Sequence, residues 1–135
     1  MESLNDILFF PYNVESLPQL TSKPPNPSFV LEGQNITFLW SYTLDGTFLF
    51  ARIINITGGG RLITSRLGGS ATLRPSNKRF RADILDSQAR LTILGVQGSD
   101  QGTYEFSLTS SSGTIDHTVE EIVECKLLQF RSEGL

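Results

Sequence analysis

The chain has 135 residues and a formal net charge of −3, enough length for one domain with a real core and no basic surplus to draw nucleic acid or an anionic membrane. No apolar run approaches the ~20 residues needed to span a bilayer. Cys125 is the only cysteine, which excludes an intrachain disulfide, and with His117 the only histidine there is no thiolate–imidazole cluster to hold a metal.

Residues 1–21 show no clear period and contain Pro11 and Pro18, so they read as an N-terminal arm or a stray edge strand. Residues 1–13 do not read as a secretory leader, because Glu2 and Asp6 sit where basic residues belong and the apolar run Ile7-Leu8-Phe9-Phe10 is short. One domain is expected over residues 22–126. Its proline-rich start, Ser22 to Pro27, stiffens the chain and keeps an edge from pairing. Ser28 to Leu31 is strand A. Asn35 to Tyr42 is strand B, with Ile36, Phe38, Trp40 and Tyr42 on one face and Thr37 and Ser41 on the other; Leu39 breaks the outward pattern. Asp45-Gly46 marks a tight connection to strand C, Phe48 to Ile54.

Gly58-Gly59-Gly60 is a flexible turn before a short strand C′, Arg61 to Ser65. It has no following Lys-Ser/Thr and no helix, so it is not a phosphate loop. Gly68-Gly69-Ser70 and Pro75-Ser76-Asn77 flank a weak strand C″. Strands D (Arg79 to Ile84), E (Ala89 to Leu94), F (Gly102 to Leu108) and G (Thr114 to Cys125) follow, and residues 127–135 are a C-terminal tail. Short strands at regular spacing, with Gly, Pro and Asn between them, predict an all-β antiparallel sandwich.

Asp100-Gln101-Gly102-Thr103-Tyr104 carries the Asp-x-Gly-x-Tyr pattern that opens strand F of an immunoglobulin domain. The chain resembles an immunoglobulin V-set domain, a Greek-key sandwich, that lacks the disulfide between strands B and F. The resemblance covers roughly residues 24 to 125. It puts Trp40 and Phe106 at the two cysteine positions and Phe50 at the buried tryptophan of strand C, with Arg52 two residues on where many such domains carry arginine. Leu49, Ala51 and Ile53 then face outward. It makes Tyr104 the tyrosine corner, Gly102 the residue that lets the E–F turn close, and Arg79 and Asp100 an ion pair across the bottom of the sandwich. A lost disulfide costs roughly 2–5 kcal/mol. Burying a large aromatic contributes roughly 1.5–3 kcal/mol, with up to about 1.5 more for a good ring pair. Trp40, Phe50 and Phe106 packed at the centre can therefore offset it.

The C-strand set Leu49, Ala51 and Ile53, with Leu62 beside it and Glu105 and Ser107 from strand F, forms a candidate protein interface: an apolar stripe with a polar rim. The bland alternative is that the arm or the tail covers this sheet. Asn35-Ile36-Thr37 and Asn55-Ile56-Thr57 are N-glycosylation sequons, which argue for an extracellular domain against the single cysteine. His117 reads as an ordinary surface residue whose neighbour Asp116 points to the other face, and Glu120-Glu121 as a solvated strand. No catalytic residues, metal ligands or cofactor site stand out, so an enzyme is not expected.

The phrases Leu31 to Tyr42 and Leu44-Asp45-Gly46-Thr47 are similar to cnidarian cell-surface V-set receptors. The missing cysteines resemble the membrane-distal domains of hydroid allorecognition receptors. That family implies homophilic recognition between cells through the G-F-C-C′ sheet, in the setting of adhesion or immunity. Two other classes stay open: a cytosolic scaffold domain of the muscle-protein kind, and an innate immune receptor domain for a foreign ligand.

Overall fold

The alternation of apolar and polar residues becomes nine short strands. The computed structural model describes residues 17–125. The strands are β1 (Gln19–Ser22), β2 (Ser28–Leu31), β3 (Ile36–Thr43), β4 (Phe48–Asn55), β5 (Arg61–Leu67), β6 (Phe80–Ile84), β7 (Gln88–Ile93), β8 (Gly102–Ser110) and β9 (Gly113–Glu124). They form a four-stranded sheet, β1-β3-β7-β6, and a five-stranded sheet, β2-β9-β8-β4-β5. All pairs are antiparallel except β2 with β9. The chain crosses between sheets from β3 to β4, and the two inner faces close on one core.

Two segments differ from the sequence reading. Gln19–Ser22 lies in the expected arm but forms an edge strand on β3, with Leu20 opposite Tyr42; residues 1–16 and the tail lie outside the described residues. The expected C″ strand is absent among the described residues, since Gly68, Gly69 and Pro75 break any period between β5 and β6. That segment is instead tied across the open edge. The Leu73 N–H donates to the Ser65 carbonyl at 2.8 Å, and the Thr64 hydroxyl to the Leu73 carbonyl at 2.6 Å.

Trp40 and Phe106 face each other from opposite sheets, fully buried, with ring centroids 5.2 Å apart and nearly parallel planes. Tyr42 stacks on Phe106 at 5.5 Å, and Phe38 joins Trp40 at 6.2 Å and Tyr104 at 5.7 Å. Five aromatic rings thus run through the core. Phe50 is not among them. It is only half-buried, and the inward residues of β4 are Phe48, Ala51 and Ile53. The reason is register: one extra residue in β4 between Phe48 and Phe50 turns Phe50 outward and Ala51 inward. Replacing Trp40 with alanine should cost about 3–5 kcal/mol in urea unfolding, while Phe50→Ala should cost less than about 1.5 kcal/mol. A loss under about 1 kcal/mol for Trp40→Ala would show that the ring stack is not the centre of the core.

Strand β9 brings two ionisable groups inward. His117 is no free surface residue: its Nδ1 accepts the Trp40 indole N–H at 3.0 Å, so the ring is neutral with its proton on Nε2. Burial, and then the Lys23 charge, hold its pKa below the usual value. Glu121 is fully buried, and neither carboxylate oxygen has a hydrogen-bond partner among the described residues; only Glu120 is exposed. Burial, and then the Asp100 charge, push the Glu121 carboxyl up to about 7 against the opposing pull of Arg79.

The two groups act in opposite directions. Glu121 contributes stability that is complete below its unfolded value near 4.5 and is lost as pH rises through about 7, about 3 kcal/mol in all. His117 contributes stability present above its unfolded value of 6.5 and lost as pH falls through its lower folded value. Stability should therefore peak in mildly acidic solution. In Glu121→Gln the decline on the alkaline side should vanish while the acid decline remains, as read by urea midpoints across pH 5 to 8.5. An unchanged alkaline decline would assign it to another group.

Candidate protein interaction face

The register of β4 decides what the five-stranded sheet shows to solvent. Had β4 alternated without interruption, Phe48, Phe50 and Arg52 would share the inner face. A bulge between Phe48 and Phe50, opposite β8, inserts one residue and reverses the phase. Phe48 stays inside, and Ala51 and Ile53 follow it, both at zero exposure. The expected placement of Ala51 and Ile53 on the outer face is thus corrected: both are core residues. Leu49 sits in the bulge and is exposed, its carbonyl accepting the Gly68 N–H at 2.9 Å. Only glycine fits at position 68, because a Cβ there would lie 2.4 Å from the Phe48 carbonyl oxygen.

The outer face consists of cross-strand rows. Phe50 lies between Leu67 and Thr109, Arg52 between Ser65 and Ser107, and Ile54 between Leu62 and Glu105. Asp116 extends the middle row, its carboxylate accepting the Ser107 hydroxyl at 2.6 Å. Leu62 and Leu67 are 47% and 61% exposed. Leu62, Glu105 and Ser107 are on this face as expected; Phe50, Arg52, Ile54 and Leu67 are the residues that sequence reasoning missed. The signal was present in Ala51-Arg52-Ile53, where a charge between two apolar residues marks the outward position.

The lower end of the sandwich is fastened by polar groups. Arg79 donates to both carboxylate oxygens of Asp100 at 2.9 Å. The Gln97 N–H donates to the same carboxylate, and the Tyr104 hydroxyl donates to the Asp100 carbonyl. Burial alone would raise the Asp100 pKa, but the Arg79 and Gln97 hydrogen bonds outweigh it and hold the carboxyl below its usual range. Burial also raises the Tyr104 phenol. Gly102 lets β8 start against Thr57: a Cβ there would lie 2.7 Å from the Thr57 hydroxyl oxygen, which accepts the Thr103 N–H. Of the two sequon asparagines, Asn35 is exposed, its Oδ1 accepting the Gly95 N–H, and Asn55 is half-buried, its Oδ1 accepting the Gly58 N–H. Both lie at this same end.

No family model matches the chain, and no curated protein sequence does. Solved structures do. A chimeric titin Z1Z2 is 22% identical over 81% of this chain and 95% of that one, with a TM-score of 0.60. The titin domains z1z2 in complex with telethonin are 23% identical over 81% of this chain and 48% of theirs, at 0.61. The twitchin kinase region of C. elegans is 20% identical over 83% of this chain and 17% of its own, at 0.57. The chain has an immunoglobulin-like fold. At these identities the likeness is one of fold, and the site must be argued from its own residues.

The register gives a sharp contrast between neighbours. Ile53→Glu should place an unpaired carboxylate in the core and leave the domain unfolded by circular dichroism, whereas Phe50→Glu should fold with a melting temperature within a few degrees of the parent. A folded Ile53→Glu would return Ile53 to the surface.

Proposed function

We propose that this domain is an extracellular recognition module of a cell-surface protein. It binds a protein partner through the outer face of its five-stranded sheet, and the partner is a second copy of the domain on an opposing cell. The observation that carries the reading is the pairing of Phe50 with Leu67 and Ile54 with Leu62 on an exposed sheet, with Arg52 between them. Apolar pairs on either side of a polar row give the mixed make-up of a specific, non-obligate interface. The same face carries Arg52 with Glu105 in the next row and Asp116 in its own row beyond Ser107. A two-fold copy can set the cation of one domain against an acid of the other, as a self-complementary contact requires. The V-set and allorecognition likeness supports this reading, as do the sequons. Catalysis is no part of it.

The scaffold reading draws on one specific observation, the domain's closure by an aromatic stack without a disulfide, which suits a reducing compartment. Likeness of fold to titin and twitchin agrees with it. A glycan found on Asn35 or Asn55 of the natural protein excludes it.

Sedimentation of the purified domain across a concentration series, beside a Phe50→Glu and Leu62→Glu double variant, tests the homophilic reading. The parent should self-associate and the folded variant should remain monomeric. If both are monomeric at high micromolar concentration, the face serves a different partner.

A further inference from the structure

A second surface lies along the edge where the segment between β5 and β6 arches over the free edge of β6. It leaves a groove of about 840 Å³. Arg74, Lys78 and Arg81 line the groove, with Asp83 as its only acid. The Asp83 carboxylate accepts the Thr72 hydroxyl at 3.4 Å, and three cations outnumber it. The groove is therefore locally cationic in a chain whose net charge is −3.

Its floor holds unused backbone groups. The Arg79 carbonyl accepts the Leu94 N–H and the Leu85 N–H donates to the Gln88 carbonyl. With the antiparallel register of β6 on β7, this turns the main chain of Phe80, Ala82 and Ile84 toward the free edge. The Phe80 N–H is taken by the Asn77 carbonyl and the Ile84 N–H by the Thr72 hydroxyl. The Ala82 N–H and carbonyl have no partner among the described residues, and Ala82 lines the groove. The ties at Phe80 and Ile84 stand at both ends of this gap, so an extended peptide cannot pair along the strand. A compact ligand with both donors and acceptors can enter.

We propose that this groove binds an acidic oligosaccharide. Sugar hydroxyls would meet the Ala82 N–H and carbonyl and the polar side chains of Ser76 and Asn77. Sulfate or carboxylate groups would meet Arg74, Lys78 and Arg81. The volume suits a few sugar rings. The groove is lined by none of Phe50, Arg52, Ile54, Leu62 and Leu67, so the proposal stands whether or not the domain self-associates.

The test is amide NMR titration of the folded domain with a sulfated tetrasaccharide and with sialyllactose, beside uncharged lactose and a hexaglutamate peptide. A sulfated or sialylated sugar should shift the Ala82, Ser76 and Asn77 amides. Binding should weaken about tenfold or more in Arg74→Glu with Lys78→Glu and be unchanged in Phe50→Glu. The two acidic sugars separate sulfate from carboxylate preference. Shifts spread over Arg52, Arg61 and Arg90, or binding that survives the double variant, would reduce the effect to diffuse charge and overturn the site. Equal binding of hexaglutamate at Ala82 would overturn the sugar assignment in favour of an acidic peptide. An absence of shifts with every probe would end the proposal. Should the double variant fail to fold, Ser76→Trp gives a steric block with no charge change and the same expected loss.

Discussion

The contact between Trp40 and Phe106 governs the rest of the core. A cystine would join the two sheets with little volume and no hydrogen-bonding demand. An indole stacked on a phenyl ring joins them through buried area, and it makes two demands of its own. Space comes from Ala89, which pairs with Trp40 across β3 and β7, and from Ala51 on the facing sheet, both fully buried. The indole N–H comes with the rings and needs an acceptor, because a buried donor left unpaired costs about 1–3 kcal/mol. His117 meets that need from β9. Two small residues and one histidine thus accompany a ring stack that joins the sheets without a disulfide.

Much of the architecture was legible from local pattern. Period-two alternation located β3, and the turn residues placed most connections, because both reflect short-range sterics that act wherever the chain sits. The Arg79 and Asp100 pair and the Tyr104 hydroxyl were legible through a motif with a fixed geometric purpose. The phase of β4 was not. Phe48, Phe50 and Arg52 alternate as well as Ala51 and Ile53 do, and what separates the two sets is a bulge that depends on β8 and on the close approach of Gly68. Such a feature is set by tertiary fit and leaves little trace in composition. The outer face was accordingly foreseen on the right sheet and on the right neighbours, Leu62, Glu105 and Ser107, with the wrong half of the central strand.

Strand β9 shows the other limit of pattern reading. Glu120 and Glu121 are equivalent in one dimension, and only the sheet decides that the first meets water and the second meets Asp100 and Arg79 through the core. His117 and Glu121 both point inward, yet one supplies a hydrogen-bond acceptor and the other has no partner among the described residues. A group of the second kind lowers stability in its charged form, and evolution tolerates it where a modest margin suffices or where the proton itself matters.

Joining the sheets by stacked rings also changes how the domain would answer to force. A covalent clip between β3 and β8 would hold the intervening stretch together as a closed loop even after the strands separated. Here nothing covalent spans positions 40 and 106, so once the stack parts the whole stretch can pay out, adding roughly 200 Å of slack at about 3.3–3.6 Å per residue. Pulled at its two ends, the domain would thus lengthen by a stretch that a disulfide would have held closed.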